Sequence, residues 1–247
     1  MLYEFSSLRY PDLADLLKYN PLALLPVAQI EEHGPHLPLS ADCLITVHVS
    51  RAAAEALPNE IPVLLLDLVP YGYSATTMTR WPGTIRISME TFHNYVFELC
   101  ASLVDMGVRK LAVMSGHGHH NALVELVARR LADEKGIAPV VLFPHALAPD
   151  KIRAIAKSGP AGSCHAGEFE TSLLLHLAPH LVDLSRAVDN PLRNFPPKGV
   201  FWSTWERERT DSGLYGAPCA ASAQTGKLFF DAVVSEAAAF LASFYRA

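Results

Sequence analysis

The sequence predicts an α/β protein built on a mostly parallel sheet, and three observations point there. Short apolar runs alternate with longer helical patterns, the runs are continuously apolar, and two of three histidine-rich segments follow directly on such runs. Apolar runs separated by helices of a dozen or more residues read as βαβ units. Strands buried on both faces carry continuous apolar sequence. A chain of 247 residues fits one large domain of this kind. No internal repeat, low-complexity stretch or linker divides it, so residues 1–247 are read as a single domain.

The elements follow in order. Residues 22–30 read as a first buried strand, followed by EEHGPHLPLSAD and a helical pattern over 43–57. Residues 62–69 (PVLLLDLV) are a second strand. Residues 71–86, with YGYS and WPGT, are rich in turns. A helical period covers 89–106, and a third strand, 110–115, ends in GHGHHN. An amphipathic helix over 121–135 leads to a fourth strand at 139–144. A weak helix, 152–161, runs into a Gly/Ser turn before a helix at 168–177. Residues 189–215 are Pro-rich, aromatic and irregular, a surface segment, and an Ala-rich helix covers 225–246.

Composition narrows the function. Half the residues are hydrophobic and 18% are charged, ample for a core. The net charge of −5 leaves no basic stripe for phosphates, so nucleic acid is not an expected partner. There is no run of roughly 18 apolar residues to span a membrane. The N-terminal stretch lacks the apolar centre of a signal peptide. Cys43, Cys100, Cys164 and Cys219 form no C-x-x-C, and free thiols fit a reducing, cytoplasmic setting. No G-x-G-x-x-G follows the first strand, which argues against a dinucleotide site.

Histidine is the unusual residue. His33, His36, His117, His119, His120 and His165 fall in three short segments, each beside glycine. In an extended segment residues two apart point the same way, so Glu31 and His33 can face one point while Glu32 turns away. Asp42 stands just before a helix, where capping is a common role. Beside E-x-H it completes a carboxylate–imidazole set suited to Zn, Mn or Fe. In 115–121 the glycines let the backbone approach a ligand, and His117 and His119 can share one side. His120 reads as a solvated helix N-terminus and Asn121 as a cap. In the third segment, His165 beside Glu168 and Glu170 could shuttle a proton, or the acids could complement a helix dipole. Ligands bind outside the carboxyl ends of parallel strands, so the loops after the first and third strands should share one crevice.

Four stretches carry a resemblance: EEHGPHLPLSAD (31–42), WPGT (81–84), SGHGHHN (115–121) and HAGEFETS (165–172). Together, in this order, they resemble the creatininase (creatinine amidohydrolase) family across roughly residues 20–180. The resemblance implies a three-layer α/β/α sandwich with a mostly parallel central sheet and a homo-oligomer, often a hexamer. It implies two divalent ions per chain, Zn or alternatively Mn or Fe. Glu31, Asp42 and His117 would hold one, and His33 and a bridging Asp42 the other. His165 and Glu170 would be the catalytic pair, with Glu170 an alternative ligand. The implied activity is hydrolysis of a C–N bond in a small cyclic amide, formamide or related amide by a metal-activated water.

Two departures bear on that picture. Creatininase has a Glu where this chain has His119, so His119 ligates, or Glu170 moves in, or one ion binds weakly. Creatininase also packs tryptophans on its planar substrate from the loop before HAG, and residues 146–164 here hold no aromatic residue. Creatinine is therefore not the expected substrate. Trp81, Tyr71, Tyr73, Trp202 and Trp205 could serve as aromatic walls or be ordinary packing, and Arg80, Arg86 and Lys198 could contact a phosphate by residue type alone, though solvated surface charge is the favoured reading of each. The competing reading is a non-catalytic metal- or small-molecule-binding protein of the same fold.

Overall fold

The fold is taken from a computed structural model that describes residues 1–191, 200–201 and 210–247. Among the described residues, five strands form one sheet in the order β1-β3-β2-β4-β5, with every neighbouring pair parallel. They are β1 (Leu2–Glu4), β2 (Leu22–Val27), β3 (Val63–Leu65), β4 (Lys110–Ser115) and β5 (Val140–Leu142). The helices are α1 (Tyr10–Leu17), α2 (Ala41–Glu55), α3 (Met89–Asp105), α4 (Asn121–Lys135), α5 (Pro149–Ile155), α6 (Gly159–Gly162), α7 (Glu168–Leu177) and α8 (Ala223–Arg246).

Side chains alternate across the sheet and so build two cores. Leu22, Leu24, Val63, Leu65 and Met114 face α2, α7 and α8, meeting Ile45, Val49, Leu173, Phe229 and Val233. Ala23, Leu25, Leu64, Leu111 and Val113 face the other way, against Leu16, Phe92, Val96, Val127 and Leu131 of α1, α3 and α4. This is the three-layer α/β/α sandwich. Burying a side chain such as Phe229, which is fully enclosed, contributes about 1.5–3 kcal/mol.

The strands differ in length from expectation for identifiable reasons. Pro26 has no N–H to give, so pairing with the β3 side stops at Leu66 N–H donating to Leu24 O. It resumes where Val69 N–H donates to Pro26 O, which leaves β3 shorter than 62–69. Beyond Val27 the first strand stays extended but bonds Val69 and Pro70 through Ala28 and Ile30. Strand β1, three residues at the edge, is too short to carry a periodic signal. The helix expected at 152–161 is two short ones. They are separated where the Glu168 carboxylate accepts hydrogen bonds from the N–H groups of Lys157 (2.9 Å) and Ser158 (2.7 Å).

Helix α8 is long and apolar enough to cross a membrane by length and composition alone. Its apolar side, with Phe229, Val233, Ala237 and Leu241, is spent instead on the core beneath α2 and α7. The segment expected at 189–215 is not wholly superficial. Leu214 is fully buried, and Asn190 and Gly216 exchange backbone hydrogen bonds of 2.8 and 2.9 Å.

Candidate metal centre

The three histidine-rich segments meet at the carboxyl ends of β2 and β4. Gly116, the residue after β4, packs against α2, where a Cβ would run into Thr46 Oγ1. That close approach puts His117 beside Asp42. Asp42 lies in the first turn of α2 but caps nothing. Its Oδ1 lies 3.1 Å from His33 Nε2 and its Oδ2 lies 2.8 Å from His117 Nδ1. Glu31 Oε1 is 3.5 Å from the same His117 Nδ1, and Glu170 Oε2 is 3.9 Å from His33 Nε2. Glu31, His33, Asp42 and His117 are buried, and the Glu170 side chain is 22% exposed.

The hydrogens on these rings can be assigned from their outer partners. His33 Nδ1–H donates to Glu31 O at 3.1 Å, since a carbonyl only accepts. Ser74 Oγ–H donates to Glu31 Oε2 at 2.5 Å, so its oxygen is left to accept from His117 Nε2–H at 3.3 Å. In their neutral forms both rings therefore aim a lone pair inward, at carboxylate oxygens that are also acceptors. Acceptor facing acceptor needs a positive charge between them, a proton or a metal ion. The donor set fits divalent metal in that place.

The titration behaviour has the same cause. Burial disfavours charge on His33 and His117, yet Asp42, Glu31 and, for His33, Glu170 outweigh it and raise both imidazoles above the usual range. Burial pushes the Asp42 carboxyl up, but His33 and His117 override it and hold it well below the usual carboxylate range. Burial together with the Asp42 charge raises Glu170. Burial and the neighbouring His33 and His165 lower His36 to about 4, and its Nε2 bonds Thr171 Oγ1 at 2.9 Å.

Among the described residues, three groups bring ligand atoms within 4.8 Å of one another: Glu31–His117–His119, His33–Asp42–Glu170 and Glu31–His33–His165. His119 thus stands with Glu31 and His117. Its ring meets His117 edge-on at 5.0 Å, and Ala75 N–H donates to its Nδ1 at 3.3 Å. His165 follows Cys164 and precedes Ala166, whose left-handed backbone (φ 53°) is the kind of strain that collects at functional sites. Glu170 accepts from Ala166 N–H at 2.6 Å. Its carboxylate therefore faces His33 and its own helix start.

Three expectations are corrected, at His120, Asn121 and Glu32. His120 is fully buried, not solvated: its ring stacks on Phe92 at 4.0 Å and meets His117 at 4.6 Å. Asn121 is not a cap, because α4 begins at that residue and the cap position falls on His120. Among the aromatic walls, Tyr73 borders His119 at 6.3 Å. Trp81 stacks with Arg80, and Tyr71 is solvent-exposed. Arg86 donates to Ser74 O at 3.2 Å. Trp202, Trp205 and Lys198 lie outside the described residues.

Three contributors to the site carry no signal in the sequence. Ser74, in the YGYS turn, orients Glu31. Tyr215 covers His165, ring to ring at 5.3 Å. Glu32, expected to turn away, faces His165 from below, with Oε1 3.5 Å from Nε2. Serine in a turn and tyrosine in an irregular segment carry no pattern, and only the fold shows what they touch.

A parallel α/β sandwich with buried carboxylates and imidazoles at its strand ends has the form of a hydrolase with candidate metal-ligand groups. The family model for creatinine amidohydrolase matches residues 6–241, and the chain belongs to this creatininase family of hydrolases. It is 31% identical over 226 residues to the creatinine amidohydrolase of Pseudomonas putida, covering 85% of each. It is 30% identical over 230 residues to the mycofactocin precursor peptide peptidase of Mycobacterium tuberculosis, covering 88% of this chain and 83% of that one. A manganese creatininase structure superposes with a TM-score of 0.84 at 28% identity over 98% of each chain. A mutant creatininase of zinc–zinc type gives 0.82 at 28% identity over 97% of each.

Proposed function

We propose that this chain, acting as one domain, is a metal-dependent hydrolase of an amide-type C–N bond in a small substrate, with a site for two divalent ions. The observation that carries the reading is Asp42, whose two oxygens lie 3.1 Å from His33 Nε2 and 2.8 Å from His117 Nδ1. One buried carboxylate thereby joins two ligand groups. Glu31, His117 and Asp42 would hold one ion, with His119 completing that group. His33, Asp42 and Glu170 would hold the other. Glu170 suits the ligand role better than a partnership with His165, because its carboxylate faces His33 Nε2. Zn, Mn and Fe all accept such a set. When bound, the ions would supply carbonyl polarisation and a water acidic enough to react near neutral pH.

The chain's own residues do the rest. Ser74 holds Glu31, and the Glu31 carbonyl holds His33. Gly116 N–H donates to Val27 O at 2.9 Å, which fixes the turn that carries His117 and leaves no donor at Gly116 for a substrate oxygen. His165 moves the proton that the leaving nitrogen requires. A segment 146–164 without aromatic residues speaks against a planar substrate held as creatinine would be. The peptidase relative extends the range to peptide-like amides. By family resemblance the working form is a homo-oligomer, which light scattering reads directly.

The test is a hydrolysis panel on metal-loaded and chelator-treated protein: creatinine, small lactams, formamides and short peptides. The expected result is turnover of at least one amide, lost on chelation and restored by Zn or Mn. Tight metal binding with no turnover of any probe would favour the non-catalytic binder, for which the His119 departure is the supporting observation.

A further inference from the structure

We propose that Glu32 locks His165 in the Nε2–H form, which makes Nδ1 the nitrogen that carries the proton in hydrolysis. This rests on His165 being the proton carrier of the proposed reaction, and it concerns a residue for which the sequence suggested no role. The imidazole of His165 is held on three sides. Its Nε2 edge meets Glu32 O at 3.0 Å and Glu32 Oε1 at 3.5 Å. One face meets the His33 ring at 4.4 Å and the Tyr215 ring lies at 5.3 Å. The Nδ1 edge is left, and it points toward Glu31 Oε1, 3.8 Å away.

Both oxygens at the Nε2 edge are acceptors, so that nitrogen must carry the hydrogen. Glu32 is itself fixed. Its N–H donates to Thr84 Oγ1 at 3.2 Å, and its Oε2 accepts from Gly34 N–H at 3.0 Å. Gly213 closes over the carboxylate with φ 77°, and a Cβ there would collide with Oε2. Oε1 is buried and has no hydrogen-bond partner among the described residues. What it faces is His165 Nε2. A buried acceptor without a bond is costly, and one aimed at an imidazole serves the moment when that ring becomes charged. This is the orienting arrangement by which a carboxylate fixes the tautomer of a catalytic histidine. In the reaction, Nδ1 accepts a proton from the attacking water and delivers it to the leaving nitrogen as the C–N bond breaks. The hydrogen on Nε2 stays where it is throughout.

Two measurements test this. Nitrogen-15 NMR of the zinc-loaded protein, with His165 assigned by difference from His165→Gln, should show the proton on Nε2 and none on Nδ1. A proton on Nδ1, or averaging between the two forms, would overturn the assignment. Glu32→Gln should keep zinc content, melting temperature and KM, while kcat on the best amide of the panel falls about 10- to 100-fold, as outer-shell partners of a site usually cost. An unchanged kcat, or a loss explained by lost zinc or lost stability, would overturn the role of the carboxylate. The NMR result needs no turnover, so a chain inactive on every probe would sink the hydrolase reading while leaving the tautomer to be judged alone.

Discussion

The two helical layers flank one sheet and bury similar side chains, yet only one of them brings its own charges to the site. Helices α3 and α4 bury Phe92, Val96, Val127 and Leu131 and leave the chemistry to the loop between β4 and α4. Helices α2 and α7 bury Ile45, Val49, Leu173 and Leu174 in the same way, but their first turns also bury Asp42 and Glu168 and present Glu170. Each of those helices is divided along its length. Its N-terminal turn lies at the carboxyl ends of the strands and carries carboxylates, where unpaired N–H groups favour negative charge. Its remaining turns bury apolar side chains against the sheet. Stability and function are thus separable within one helix, about a turn apart.

That division can be broken in order of effect. Asp42→Ala should abolish tight metal binding and cut hydrolysis by roughly a thousandfold, since both ligand groups lose their shared member. Metal per chain and turnover, measured on the same preparation, check this. Phe229→Ala and Phe92→Ala, one under each layer, should each cost about 3–5 kcal/mol in denaturant unfolding and leave metal per folded chain unchanged. A selective loss of metal in one of them would show that the layers are not equivalent supports. Gly213→Ala forces a left-handed residue against Glu32 and should cost about 1–2 kcal/mol, with kcat falling more than KM changes. His119→Glu restores a carboxylate to the Glu31–His117 group. It should tighten the ion held by that group by about tenfold or more, as one added charge beside a buried cation would, and a competitive chelator titration reads it.

Much of this was legible in the sequence because the strands are continuous and the ligands come in pairs two apart. Glu31 with His33, and His117 with His119, follow from the direction of side chains at strand ends, and the structure brings each pair together. Asp42 as something other than a cap followed from its chemical company. What was not legible depends on segments far apart in the chain. Ser74 reaches Glu31 across 43 positions, and the face that Glu32 presents to His165 exists only because residues 165 and 213 close over it. His120 looked like a solvated helix start, since local pattern does not reveal that Phe92 waits beneath it. The short β1 strand, and the break between α5 and α6 caused by Glu168, are likewise products of tertiary contact.

The proposed hydrolase has Asp42 shared between two divalent ions. The most direct test of that sharing is elemental analysis of metal per chain, on tag-free protein purified without chelator. About two equivalents of Zn, Mn or Fe are expected in the native chain, as two-metal hydrolases hold, and none retained by Asp42→Ala. A native chain that takes up no metal even when it is supplied, or an Asp42→Ala variant that keeps the full complement, would contradict it.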